Sequence, residues 1–167
     1  MSIFELVKSS HSIGECNFHL CFVVAYRKKI FADMRVKELT RAYLLQKAKE
    51  MGVVIVAIDF GPDHVHIFIS NCGGYSVVHL VKHLKGYSAY MMRKHHYEFF
   101  RVWLYGKKFW TRGYFYRSIG STTTKNVRFY IERSQEKHWK VYSKDGYRRN
   151  AQRRLTEFQS KSTGFNQ

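Results

Sequence analysis

The residue types best suited to chemistry sit in one short stretch, Ile58 to Ser70, which reads IDFGPDHVHIFIS. His64 and His66 flank a bulky apolar Val65, follow a Gly61-Pro62-Asp63 turn and lead into Ile67, Phe68 and Ile69. That pattern places them on a β-strand, where residues i and i+2 point to the same face, roughly 6–7 Å apart. Two imidazoles so placed can grip one metal ion between them, while Val65 points the other way into a core. The alternative is a pair of half-exposed strand histidines with no role. A second candidate is Tyr130, within Gly120 to Trp139, GSTTTKNVRFYIERSQEKHW. Val127 and Ile131 have the spacing of a helix face turned to a sheet, which puts Tyr130 one step around, at the sheet edge. A phenol has a pKa near ~10 and is a poor nucleophile until a metal or base assists it. A divalent ion nearby could polarise a phosphodiester and neutralise the displaced oxygen. Without such help, any one of the 12 tyrosines is a packing residue.

These groups need a scaffold, and 167 residues suit one domain. A content of 45% hydrophobic and 17% aromatic residues is enough for a real core. The formal net charge is +17, from 29 Lys+Arg against 12 Asp+Glu, which points to a polyanion: nucleic acid first, an anionic membrane surface second. No apolar run approaches the roughly 20 residues that span a bilayer, so no membrane role is expected. MSIFELVKSS lacks the basic start and long apolar run of a secretory signal. Cys16, Cys21 and Cys72 form no CxxC pair and make an odd count, so they read as small buried thiols of a reducing cytoplasm rather than a disulfide or zinc site.

Along the chain, residues 1–15 are weakly patterned and read as flexible. Phe18–Tyr26 reads as a strand, followed by the basic cluster Arg27-Lys28-Lys29. Asp33 is placed to cap a helix whose apolar positions run from Val36 to Met51, with Gly52 as its stop. Val53–Phe60 reads as a buried strand, Gly61-Pro62-Asp63 as a turn, and His64–Ser70 as the antiparallel return. Ser76 can cap a second helix, apolar at Val77, Leu80, Val81, Leu84, Tyr87 and Met91 and basic at Lys82, Lys85, Arg93 and Lys94. Residues 98–112 show no clean period. Tyr114–Ile119 reads as a fourth strand, and Thr122, Thr123 or Thr124 can cap a third helix running through Tyr130 towards His138. The order β-α-β-β-α-β plus a C-terminal helix bearing the tyrosine is the α+β, ferredoxin-like (split βαβ) arrangement: an antiparallel sheet with helices on one face and the other face open. Residues 1–139 form the single domain, and 140–167 a basic, flexible tail.

Five blocks in this order and spacing, HLCFVVAYRKKIF, PDHVHIFIS, LKGYSAYMMRKH, KKFWTRGYFYRSIG and VRFYIERSQEKH, resemble the HUH single-tyrosine transposases of small insertion sequences. The resemblance covers about Phe18 to His138. It implies a metal-dependent transposase, homodimeric and cytoplasmic, that cuts single-stranded DNA at hairpin-containing element ends. In such proteins the tyrosine attacks a backbone phosphate and keeps the 5′ side as a phosphotyrosine, and the freed 3′-hydroxyl later rejoins strands. Carried over by position, Tyr130 is the nucleophile and His64 and His66 bind Mg²⁺ or Mn²⁺; the donor types do not choose between ions. The family's further metal-binding glutamine stands four residues after the tyrosine. Here that position is Ser134, and the glutamine is Gln135, roughly 140° around an ideal helix from Tyr130. Either a one-residue bulge restores Gln135, or Glu132 or a water replaces it; Gln135 is the favoured ligand, because Gln135-Glu136-Lys137-His138 reads like the family's next block.

Arg27, Lys28, Lys29, Lys82, Lys85, Arg93, Lys94 and Lys108 are candidates for DNA phosphates, or else solvated surface charges. Phe109, Trp110, Tyr114 and Tyr116 could stack on unpaired bases, although core packing is the better reading; Trp110 could equally face a dimer partner. His79, His83, His95 and His96 read as surface or DNA-contacting residues. Two other functions remain: an HUH replication-initiator-like nickase, and a catalytically idle single-stranded nucleic-acid-binding protein with the same sheet.

Overall fold

A computed structural model of the chain describes residues 6–8, 10–106 and 108–120. Tyr130, Gln135, Glu132, Ser134, the third helix and the basic tail lie outside the described residues.

The sheet forms around the stretch with the strongest two-residue alternation. β3 (Phe18–Val23) sends Leu20 and Phe22 into the core and His19 and Cys21 to the opposite face. It pairs antiparallel with β5 (His64–Asn71), in a register running from Phe18↔Ile69 to Val23↔His64. β4 (Val54–Phe60) pairs with the other side of β5, and β6 (Phe115–Ser118) with the other side of β3. The resulting order is β4-β5-β3-β6, antiparallel throughout. α1 (Met34–Glu50) and α2 (Val77–His96) pack on one face. Val36, Leu44 and Ala48 from α1 and Leu80, Leu84 and Met92 from α2 share one core with Leu20, Phe22, Val65, Ile67 and Ile69. The expected ferredoxin-like arrangement is therefore present through β6.

The helix signals hold in detail. Asp33 accepts a hydrogen bond from the backbone N–H of Arg35 at 2.9 Å, and Ser76 from that of His79 at 3.4 Å. Gly52, at φ +67°, follows the last turn of α1 in the left-handed conformation that ends helices.

Four expectations need correction. Residues 1–15 are not wholly without structure, because β1 (Leu6–Lys8) and β2 (Ile13–Glu15) form a small antiparallel hairpin. The first core strand stops at Val23 rather than Tyr26, since Tyr26 and Arg27 take φ of +58° and +52° and turn the chain out of the sheet. Val53–Phe60 is not fully buried: among the described residues β4 is an edge strand with two register shifts, and of its residues Val54–Phe60 only Phe60 is fully covered. Finally, Cys16 and Cys72 form a disulfide, with Cα atoms 5.5 Å apart. The reason is the ladder itself. Extending the Phe18↔Ile69 register by two residues brings positions 16 and 71–72 together, a proximity invisible in a linear separation of 56.

Closing a loop of that length restricts the unfolded chain and contributes about 4 kcal/mol on the loop-entropy scale. Urea unfolding followed with and without dithiothreitol should show a lower midpoint in reductant for the wild type. The Cys16→Ser/Cys72→Ser variant should unfold at that lower midpoint in both. Coincident wild-type curves would show that the bond does not form or does not matter.

Candidate active site

β5 carries the two histidines on the sheet face away from the helices. Val65, Ile67 and Ile69 enter the helix-facing core, so His64, His66 and Phe68 occupy the other face, where His64 and Phe68 are themselves buried. The imidazole centroids of His64 and His66 lie 5.0 Å apart with planes at 86°. Across the ladder, Cys21 stands opposite His66 on one side and Asp59 on the other.

Each ring is held through Nδ1. His64 Nδ1 donates to Asp63 Oδ1 at 2.7 Å, and the other carboxylate oxygen accepts from Arg27 Nε at 3.0 Å. Burial pushes the Asp63 carboxyl up, but the hydrogen bonds from His64 and Arg27 outweigh it and hold the group below the usual carboxylate range. The His64 ring also crowds Gly61: a Cβ there would run into the imidazole, so glycine is required at that turn position. His66 Nδ1 lies 2.9 Å from Nε2 of His19. His19 is only 4% exposed, stacked on Phe68 at 4.4 Å with planes 2° apart, and met edge-on by Phe115. Burial, reinforced by the Arg117 charge, lowers its pKa to about 4, which leaves it neutral at ordinary pH. Cys21, beside them, is pushed up to about 11 by burial and by the Asp63 charge, so it stays a thiol.

With both Nδ1 atoms engaged by Asp63 and His19, a ligand shared by the two rings would be met through their Nε2 atoms. Neutral imidazole suits a divalent ion, and a partner on the far ring nitrogen is the usual way such ligands are oriented. Among the described residues no group of three or more His, Cys, Asp or Glu side chains is assembled to hold a metal. The described sheet thus brings together two candidate donors, His64 and His66, while Gln135 and Tyr130 lie outside the described residues. Sequence reading missed His19, Asp63 and Gly61 as site residues. The signal for His19 was available: its parity on β3 is opposite to Leu20 and Phe22, hence on the histidine face.

The basic candidates divide between the faces. Arg27 belongs to the histidine site through Asp63, and Lys28 and Lys29 beside it are half-buried. Lys82, Lys85, Arg93 and Lys94 are on α2, behind the sheet. Lys85 Nζ donates to the carbonyl oxygens of Thr111 (2.6 Å), Arg112 (3.2 Å) and Gly113 (2.9 Å), which ties the chain before β6 to α2. Arg93 lies over the rings of Tyr97 and Phe100, and Lys94 over Tyr90. Lys82, Lys108 and Arg112 rim a groove of about 540 Å³ floored by Val81, Phe109 and Trp110. Phe109 and Trp110 are buried in this chain, and Trp110 Nε1 donates to Ser88 Oγ at 3.0 Å. Tyr116 is exposed on β6 and Tyr114 half-buried before it. His79 and His83 stack at 5.5 Å on α2, His95 is exposed, and His96 shares a 2.8 Å hydrogen bond with Tyr43 Oη. No helix among the described residues is long and apolar enough to cross a membrane.

Residues 12–134 match the family described as IS200-like transposase. The ISDra2 transposase TnpA of Deinococcus radiodurans is 26% identical over 133 residues, 80% of this chain and 94% of that protein. The transposase for insertion sequence element IS200 of Salmonella typhimurium is 26% identical over 130 residues, 76% of this chain and 82% of that one. A crystal structure of a transposase from Deinococcus radiodurans superposes with a TM-score of 0.59 at 25% identity, over 76% of this chain and 96% of that one. A REP-associated tyrosine transposase bound to a REP hairpin shares the fold at a TM-score of 0.50 and 12% identity, over 75% of this chain and 69% of that one. The family match takes in the whole described sheet from β2 onward and both site histidines, and the chain belongs to the IS200-like transposase family.

Proposed function

We propose that this protein is a metal-dependent transposase that cuts and rejoins single-stranded DNA at the ends of an insertion sequence, through a 5′-phosphotyrosine on Tyr130. The observation that carries the reading is the His64–His66 pair on the sheet face away from the helices, with ring centroids 5.0 Å apart and each Nδ1 engaged by a neighbouring side chain. The substrate is a strand with hairpin-containing ends, the working form is a homodimer, and the compartment is the cytoplasm, a reading that rests on the transposase role and not on the cysteines, since Cys16 and Cys72 are paired.

In the first step Tyr130 Oη loses its proton and bonds to phosphorus, the P–O3′ bond breaks, and O3′ takes up a proton. The strand is left with a free 3′-hydroxyl, and the enzyme with the 5′ side. In the second step a 3′-hydroxyl attacks the same phosphorus and the phenol leaves, so the number of phosphodiester-type bonds is conserved and no nucleoside triphosphate is needed. Mg²⁺ or Mn²⁺ held by His64, His66 and Gln135 would polarise the phosphate and neutralise charge on the departing oxygen. Asp63 keeps His64 oriented, and Arg27 keeps Asp63 ionised. Lys28, Lys29, Lys82, Arg93, Lys94 and Lys108 supply sequence-blind phosphate contacts. The placement of Gln135 five rather than four residues after Tyr130 favours a second reading, a DNA-binding protein of the same fold that does not cut.

A covalent-adduct assay separates the two. Labelled single-stranded DNA from the flanks of its own gene, mixed with protein and Mn²⁺, should yield a slow band on a denaturing gel. The band should vanish for Tyr130→Phe and with chelator, while salt-sensitive binding persists. Binding without any adduct would favour the idle protein.

Two further variants probe the site. Gln135→Ala should reduce adduct formation about 10–100-fold, the range for losing a metal-site interaction, and Ser134→Ala far less. Equal mild effects would remove Gln135 from the site. Gly61→Ala, which drives a methyl into the His64 ring, should lower adduct yield by a similar factor while strand binding changes little, since phosphate contacts elsewhere carry it. Undiminished cleavage would show that the His64 ring position is unimportant.

A further inference from the structure

The geometry points to His19 as a positioning residue: its Nε2 accepts the Nδ1 proton of His66 and so fixes His66 in the tautomer whose Nε2 carries the lone pair. The inference rests on the metal reading for its functional meaning, but the tautomer can be observed without any metal.

The argument begins with the ladder. His19 is opposite Phe68 and Cys21 opposite His66, so His19 and His66 are diagonal neighbours on one face, a separation that long side chains span. The 2.9 Å contact between His19 Nε2 and His66 Nδ1 can hold one proton only. If the proton belonged to His19, a neutral His66 would carry its own on Nε2 and could not donate a lone pair there. If it belongs to His66, Nε2 is a ready ligand. The second arrangement repeats the one beside it, where His64 gives its Nδ1 proton to Asp63. One ring is thus oriented by a carboxylate and the other by a neutral imidazole, so the pair gains the same tautomer with only one added negative charge.

The mounting of His19 suits that task. The ring lies flat against Phe68 and edge-on to Phe115, both apolar, which limits its rotation. A residue kept only for packing there needs no nitrogen at that position. Nothing in the family's motif, as matched on His64, His66, Gln135 and Tyr130, gives His19 a role.

The test is imidazole ¹⁵N NMR of chelator-treated, ¹⁵N-labelled full-length protein, paired with Mn²⁺ titration by calorimetry. Wild type should show His66 protonated at Nδ1. His19→Phe keeps the ring stack but removes the acceptor; it should move the His66 proton to Nε2 and weaken Mn²⁺ binding about 10–100-fold. His19→Gln, whose amide oxygen can accept, should restore both. Circular dichroism and thermal melting confirm that the sheet persists, and if His19→Phe does not fold, the wild-type tautomer and the His19→Gln affinity still decide. A wild-type His66 protonated at Nε2, or a His66 tautomer indifferent to His19→Phe, overturns the proposal. Wild-type protein that holds His66 as Nδ1–H but takes up no Mn²⁺ supports the lock and overturns the metal reading instead.

Discussion

The β3–β5 ladder is the constraint on which the rest of the molecule depends. Its register runs unbroken from Phe18↔Ile69 to Val23↔His64. Because side chains alternate with a period of two, that single alignment sends Leu20, Phe22, Val65, Ile67 and Ile69 under the helices and leaves His19, Cys21, His64, His66 and Phe68 on the other face. A slip of one residue would put imidazoles in the core and isoleucines in the site. The fully buried aliphatic row therefore guards the histidine geometry: burying each such side chain contributes roughly 1.5–3 kcal/mol, all of it lost in the slipped register. The same alignment brings Cys16 to Cys72 at the far end, so the disulfide clips the ladder it results from.

At the His64 end the ladder is closed by backbone rather than by side chains. Val24 N–H donates to the Asp63 carbonyl at 2.8 Å, and Phe31 N–H to that of Pro62 at 3.1 Å, so the turn before His64 is held by the chain leaving β3. That chain passes through Tyr26 and Arg27, both in the left-handed region that ordinarily costs non-glycine residues about 1–3 kcal/mol each. Tyr26 is 71% exposed and buries little in return. The return comes at Arg27, whose guanidinium reaches the carboxylate that orients His64. Strain three and four residues beyond the strand is thus tied to the orientation of a ring on another strand.

Much of this was legible in the sequence, and the parts that were not share a cause. The histidine face, the Asp33 and Ser76 caps and the β-α-β-β-α-β order follow from periodicity and local chemistry, which a linear sequence carries directly. The Cys16–Cys72 bond, the His19–His66 contact and the edge position of β4 are consequences of register and strand order, which it does not. Val53–Phe60 was misjudged for that reason: its apolar run suits burial on both faces, yet it has a neighbour on one side only among the described residues. The N-terminal hairpin was missed because three-residue strands leave no period to detect. Tyr130 and Gln135 were legible only through the resemblance, and they lie outside the described residues.

Under the proposed function, the charge distribution constrains how a nucleic acid strand would lie. α2 carries Lys82, Lys85, Arg93 and Lys94 and no Asp or Glu along its 20 residues, so its outer surface repels no phosphate. It lies behind the sheet, whereas the histidines face the front. A phosphate at His64 and His66 therefore cannot also be a phosphate on α2, and a strand using both must pass around an edge of the sheet. The β6 edge is the better route: Lys85 fastens the chain preceding β6 to α2, and β6 itself presents exposed Phe115, Tyr116 and Arg117 beside His19. The β4 edge offers less, since Arg41 there is turned inward to donate to the Ile58 carbonyl at 2.9 Å and lies over Phe60. The helix face and the histidine face are thus joined on one side by a cationic, aromatic rim, and Lys85, with its ammonium spent on three carbonyls, serves that rim by holding it in place.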